Sequence, residues 1–215
     1  MSAFETAQVL EAYQQRCEDR IAVVEDGDRI VIVVADGAGG IGSGDQAADA
    51  VVREVKAAVQ VATTADGWSS VLRQTDFRVG IGQSTAVVVD LGPQGICGAS
   101  VGDCQAWLVN EGAITNLTVN QQRKPLLGTG EAVPIGFTLD SLAGILIVAT
   151  DGFCNYIKPA QVVKAIASAE FVTLPRTLLS MVRLKSGELW DDVGIVVCRQ
   201  RPLQRTRRRY SLDPQ

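Results

Sequence analysis

The chain contains no histidine. That removes the ordinary general base of neutral pH, the Ser-His-Asp and Cys-His arrangements, and nearly every zinc site. Hydrolytic chemistry must therefore be run by carboxylates, through hard metal ions. There is no CxxC pair either. The five cysteines (Cys17, Cys97, Cys104, Cys154 and Cys198) are odd in number and scattered, four of them in or beside apolar segments. Most of them read as small buried hydrophobes in a reducing compartment. Long apolar runs are missing as well: none reaches the roughly 18 residues that span a bilayer. The opening MSAFETAQVLEAYQQ lacks the basic-then-apolar order of a secretory signal. The expectation is a cytoplasmic protein with no membrane span.

What is present fits one well-filled interior. The 215 residues are 47% hydrophobic and 20% charged, enough for one sizeable core and short for two. The net charge of -4 is unevenly spread. The last fifteen residues, RPLQRTRRRYSLDPQ, hold five arginines and one aspartate. The acidic remainder argues against a nucleic-acid-binding surface. The reading is a single domain over residues 1–200 and a basic flexible tail over 201–215. That tail can dock an acidic partner or membrane surface, or simply be a solvated end.

Aliphatic runs dominate the body. RIAVVEDGDRIVIVVAD predicts a hairpin of strands Arg20–Val24 and Arg29–Ala35, and residues 85–117 predict a meander with strands near 85–90, 95–101, 104–109 and 113–117. LAGILIVATD and DVGIVVCRQ predict two more central strands. Ala47, Val51, Val55 and Val59 form an apolar stripe of a helix from about Ser43 to Ala62. Further helices are expected from Pro159 to about Ala169 and from near Pro175. The first twelve residues suit a strand or a short helix. Strands in hairpins with helices between them give an α+β layered fold.

Aspartates punctuate these strands. Asp36 follows RIVIVVA, Asp151 follows GILIVAT, and Asp191-Asp192 precedes VGIVVC. If the strands are antiparallel neighbours, the carboxylates meet at one sheet edge, where they repel unless a cation lies between them. An oxygen-only donor set favours Mg²⁺ or Mn²⁺. Asp-Gly is also the commonest turn opener, but it recurs here after two buried strands. Gly37, Gly39 and Gly40 are expected to let the backbone turn tightly and bring a carbonyl to the ion.

Taken in order, Glu18-Asp19, VVADGAGG, GQSTAVVV (82–89), ASVGDCQAWLV (99–109), NLTVNQQ (116–122), ILIVATDGF (145–153) and DDVGIVV (191–197) resemble the PP2C-type (PPM) metal-dependent serine/threonine protein phosphatases, of the compact bacterial kind. The resemblance implies a four-layer α-β-β-α sandwich with two antiparallel sheets and a binuclear Mn²⁺ or Mg²⁺ centre at one end. Asp36 would bridge the two ions and the Gly37 carbonyl would bind one. Asp151 and Asp191 would complete the second site, and Glu18 and Asp19 would act largely through water. Asp103 with Asp151 would serve a weaker third ion, and Asp192 would support the ligands. The implied reaction is hydrolysis of phosphoserine and phosphothreonine by a hydroxide bridging the two ions, without a phosphoenzyme. The implied partners are a phosphorylated protein substrate and an opposing Ser/Thr kinase, and the chain is expected to act as a monomer. The alternative is a catalytically weak domain of the same fold that binds and regulates phosphorylated partners.

The sequence departs from the family pattern at the phosphate-clamping arginine, whose position holds Gln14. If residues 14–19 are extended, Gln14, Arg16 and Glu18 share a face, and Arg16 can supply the clamp from one step nearer; the bland alternative is a solvated arginine on an edge strand. LLGTGEAVPIG reads as a truncated substrate loop. Trp190 is a wall of the site or a core anchor.

Overall fold

A computed structural model describes residues 2–38 and 43–202. Strands β1 (Phe4–Glu11), β2 (Arg20–Asp26) and β3 (Arg29–Ala35) come first, then the two-residue strand β4 (Gly37–Ala38). Helices α1 (Gly44–Ala58) and α2 (Ala65–Arg78) follow, then β5 (Gln83–Ser84), β6 (Ala86–Gly92), β7 (Gly95–Val101), β8 (Gln105–Asn110) and β9 (Ala113–Asn116). Strands β10 (Ile135–Leu139) and β11 (Ile145–Ala149) lead to α3 (Asp151–Cys154), α4 (Pro159–Ser168), α5 (Leu174–Val182) and the last strand, β12 (Val193–Gln200).

Two antiparallel five-stranded sheets result, ordered β1-β12-β11-β8-β9 and β10-β7-β6-β3-β2. The continuous aliphatic strands are explained by burial on both faces. In β3, Ile30, Ile32 and Val34 point between the sheets, toward Val87, Val89, Leu146, Val148 and Val196. Val31, Val33 and Ala35 point the other way, onto Ala47, Val51 and Val55 of α1 and Trp68 and Leu72 of α2. On the far side, Ile147, Ile195 and Val197 pack beneath Val162 of α4 and Leu174 and Leu178 of α5. Helix, sheet, sheet, helix is therefore the order of layers. Because side chains alternate along a strand, a one-residue slip in β3 would exchange its two buried faces and mismatch both.

The predicted hairpin, meander and final strands form, within a residue or two of the expected ends. The first residues are a strand: β1 pairs with β12 along its whole length. Helix α2 was not legible as a periodic stripe, because its buried face runs Trp68, Leu72, Thr75, Asp76 and turns polar halfway along. Its signal was the cap: the Thr64 hydroxyl accepts from Gly67 N at 3.0 Å. Edge strand β10 was also missed, since only three of its five residues are even half-buried. Arg201, expected to begin the tail, donates from Nε to the Ser2 and Phe4 carbonyls at 3.0 and 2.8 Å. The other tail arginines, Arg205 and Arg207–Arg209, lie outside the described residues, as do Gly39 and Gly40.

Candidate metal centre

Asp36 leaves the end of β3, where its carbonyl accepts from Thr85 N at 2.8 Å and Ser84 Oγ at 2.9 Å. Asp103 sits in the turn from β7 to β8, after Gly102 at φ 83°, a left-handed conformation that suits glycine. Asp151 is the first residue of α3, after β11, and its Oδ2 accepts from Asn155 Nδ2 at 3.0 Å. These carboxylates converge: each of Asp36, Asp103 and Asp151 offers an oxygen within 4.8 Å of the others. Asp191, just before β12, and Glu18 line the same cavity of about 680 Å³.

The glycines after the two aspartates are not turn residues. Neither Gly37 nor Gly152 has a positive φ. A Cβ on Gly37 would fall closer than 3.0 Å to the Gly44 backbone at the start of α1, and one on Gly152 closer than 3.0 Å to the Asp192 carbonyl oxygen. Each Asp-Gly pair thus marks a place where two backbones touch beneath the site. The expected tight turn at Gly37 is replaced by close packing.

The carboxylates repel one another strongly. Burial, then the charges of Asp19, Asp151 and Asp191, push the Asp36 carboxyl up to about 9. Asp19 is 1% exposed, and one of its oxygens, Oδ2, has no hydrogen-bond partner. Burial is the main cause that lifts it to about 8, with Asp192, Asp191 and Asp151 adding to the rise. Burial first, then Asp103 and Asp191, also raises Asp151 above the usual carboxylate range. Crowded carboxylates, an orphaned buried oxygen and an oxygen-only donor set are what a hard divalent cation fits.

Asp192 has a holding part. Its two oxygens accept from Tyr13 N at 2.7 Å and Glu18 N at 2.6 Å, which ties the segment carrying Glu18 and Asp19 to the base of β12. Arg16 is placed differently from the expectation. Residues 13–16 bend rather than extend, so 14, 16 and 18 do not share a face. The Arg16 guanidinium pairs with Asp45 of α1, Nε donating to Oδ2 at 2.8 Å, and is absent from the cavity lining. The arginine that does line the cavity is Arg123, which sequence reasoning missed because it lies in a stretch with no periodic signal. Trp190 is neither a core anchor nor part of the cavity lining: it is 56% exposed and stacks on Tyr156, centroids 5.8 Å apart. The cysteines are all unpaired and buried or half-buried. Burial raises the Cys17 thiol to about 12, which suppresses thiolate chemistry beside the site.

No family model and no curated relative matches the sequence. Solved structures do match the fold. A bacterial serine phosphatase superposes with a TM-score of 0.81 at 16% identity, over 92% of this chain and 98% of that one. The serine/threonine phosphatase of S. agalactiae gives 0.77 at 17%, over 92% and 100%. The catalytic domain of the serine/threonine protein phosphatase PstP, in complex with two manganese ions, gives 0.75 at 16%, over 91% and 97%. The chain has the fold of the bacterial PP2C-type serine/threonine phosphatases. No helix among the described residues is long and apolar enough to cross a membrane.

Proposed function

We propose that the protein is a divalent-metal-dependent phosphatase that hydrolyses phosphoserine and phosphothreonine in cytoplasmic protein substrates, opposed by a Ser/Thr kinase. The observation that carries this reading is the convergence of Asp36, Asp103 and Asp151 within 4.8 Å, in the cavity that Glu18 and Asp191 also line. Asp36, Asp151, Asp191 and the Gly37 carbonyl, with Glu18 and Asp19, would hold two Mn²⁺ or Mg²⁺ ions, and Asp103 with Asp151 a weaker third. When bound, such ions supply a water nucleophile at neutral pH and neutralise charge on phosphoryl oxygens.

The chain's own groups disfavour a phosphoenzyme formed on a hydroxyl or a thiol. Among the described lining residues the only hydroxyls are those of Ser43 and Thr85, and the Thr85 hydroxyl already contacts Cys104 Sγ at 2.8 Å. With no histidine in the chain and no cysteine in the lining, neither hydroxyl has a base of the usual kind to activate it. The functional unit is residues 1–200, acting as a monomer, with the basic end outside it.

The test is phosphate release from a phosphothreonine peptide by the purified chain with and without Mn²⁺, alongside Asp36→Asn. Mn²⁺-dependent release is expected from the native chain. The variant should lose it and bind Mn²⁺ at lower stoichiometry in calorimetric titration. Binding of the phosphopeptide without release would instead identify a regulatory binding domain. Unchanged Mn²⁺ stoichiometry in Asp36→Asn would refute the ligand assignment.

A further inference from the structure

Five acidic residues line the metal-centre cavity, and among the described residues only two cations join them: Arg123 and Lys124. Both belong to the connection between β9 and β10. That connection is pinned on either side of them. Before them, Ser100 Oγ donates to Gln121 Oε1 at 3.2 Å. After them, Leu127 and Ser84 exchange two backbone hydrogen bonds of 3.0 Å. Farther on, buried Asp76 of α2 accepts from Gly128 N, Gly130 N and Ala132 N at 2.7, 3.0 and 2.9 Å. The backbone that carries Arg123 is thus held at both ends, while its side chain remains 73% exposed at the cavity wall.

The guanidinium is aimed. Arg123 Nε donates to Asp103 Oδ2 at 2.5 Å, and Nη2 stands 3.7 Å from Asp151 Oδ2, beyond hydrogen-bonding distance. Of its five N–H donors, the Nε donor alone is engaged among the described residues. Four remain for a ligand entering above the carboxylates. Arg16 is not among the lining residues, and its Nε and Nη2 are both turned onto Asp45 Oδ2.

We propose that Arg123 grips the phosphoryl oxygens of the substrate, doing from the cavity wall what the resemblance would assign to an arginine at the Gln14 position. This rests on the phosphatase reading. A phosphomonoester dianion bound over a metal centre needs positive charge on its outward oxygens as well, and a planar guanidinium can give two parallel N–H donors to two of them. Asp103 orients the group beforehand, so less rotamer freedom is lost when the phosphoryl group arrives. Lys124 adds a point charge beside it.

The experiment compares the native chain with Arg123→Ala, Arg123→Lys and Arg16→Ala, all Mn²⁺-loaded. Anisotropy of a labelled phosphothreonine peptide gives Kd, calorimetry gives Mn²⁺ stoichiometry, and steady-state release of phosphate gives KM and kcat. Arg123→Ala should weaken peptide binding and raise KM roughly ten-fold, as expected for loss of a charge-assisted pair, with Mn²⁺ stoichiometry retained. Arg123→Lys should recover part of the loss, since it keeps the charge but not the fork. Native peptide affinity in Arg123→Ala, with the loss appearing in Arg16→Ala, would overturn the assignment and leave the phosphatase reading standing. Changed Mn²⁺ stoichiometry with unchanged peptide affinity would also overturn it, marking Arg123 as a counter-ion of Asp103 only. A native chain that neither binds nor hydrolyses the peptide would remove the phosphatase reading itself, and this proposal with it.

Discussion

Asp151 and Gly152 show how one dipeptide serves two purposes. The aspartate presents its carboxylate to the cavity, while the glycine lets the start of α3 lie against the Asp192 carbonyl. That contact matters to the site, since Asp192 also holds the Glu18 segment through its side chain. Gly152→Ala inserts a methyl group where backbone, not a flexible side chain, must move. It should destabilise the protein by about 1–3 kcal/mol, the usual cost of overpacking, and displace Asp151. The measurement is the urea midpoint together with Mn²⁺ affinity. An unaltered midpoint would mean that the two backbones are not in contact. The sequence displayed both Asp-Gly pairs, but not this reason for them, because the neighbour each glycine touches is remote along the chain.

Helix α2 works as a bracket for the cavity. Its first half is apolar and packs Trp68 and Leu72 onto the sheet. Its second half turns Asp76 inward to collect three backbone N–H groups from the segment that continues from Leu126, itself a lining residue. Asp76→Ala leaves those donors without their acceptor; the Ala132 N–H is buried, while Gly128 and Gly130 are exposed and can turn to water. A loss of about 1–3 kcal/mol is expected, mainly from the buried donor, with faster proteolysis at residues 128–132 than elsewhere in the chain. Chemical denaturation and limited digestion would check it, and equal digestion patterns would separate Asp76 from that loop. Period-based reading passes over such a helix because its buried stripe is half polar. A buried carboxylate is recognisable only once its partners are known.

At the scale of the whole molecule, the cluster of acidic groups at one end of the sandwich ties stability to pH and metal together. In the unfolded chain an aspartate titrates near 4, whereas in the fold Asp19 is raised to about 8 and Asp36 to about 9. Between those values the folded state holds protons that the unfolded state has released. Stability of the metal-free protein must therefore fall as pH rises, and the contribution is gone above about 9. The expected result is a higher Tm at pH 5 than at pH 8.5 in the presence of a chelator. Mn²⁺ should restore Tm mainly at pH 8.5, because ligands bind metal only after losing their protons. A metal-free Tm that rises over this interval would show that the carboxylates do not crowd as described.

The sequence by itself determined the elements whose two faces are both apolar. β3, β6, β11 and β12 were legible because a strand buried between two layers must be aliphatic throughout. It also marked where β3 and β11 stop, at Asp36 and Asp151, and where β12 is entered, after Asp191, and the absence of histidine narrowed the chemistry to carboxylates and hard cations. Only the tertiary structure decided which acids lie together. It drew Asp103 into a trio with Asp36 and Asp151, set Arg16 against Asp45, and put Arg123 at the cavity wall. Those outcomes depend on how strand ends and loops far apart in the chain meet in space. A pattern of periods two and 3.6 records which way a residue faces within its own element, and carries nothing about which distant element it will face.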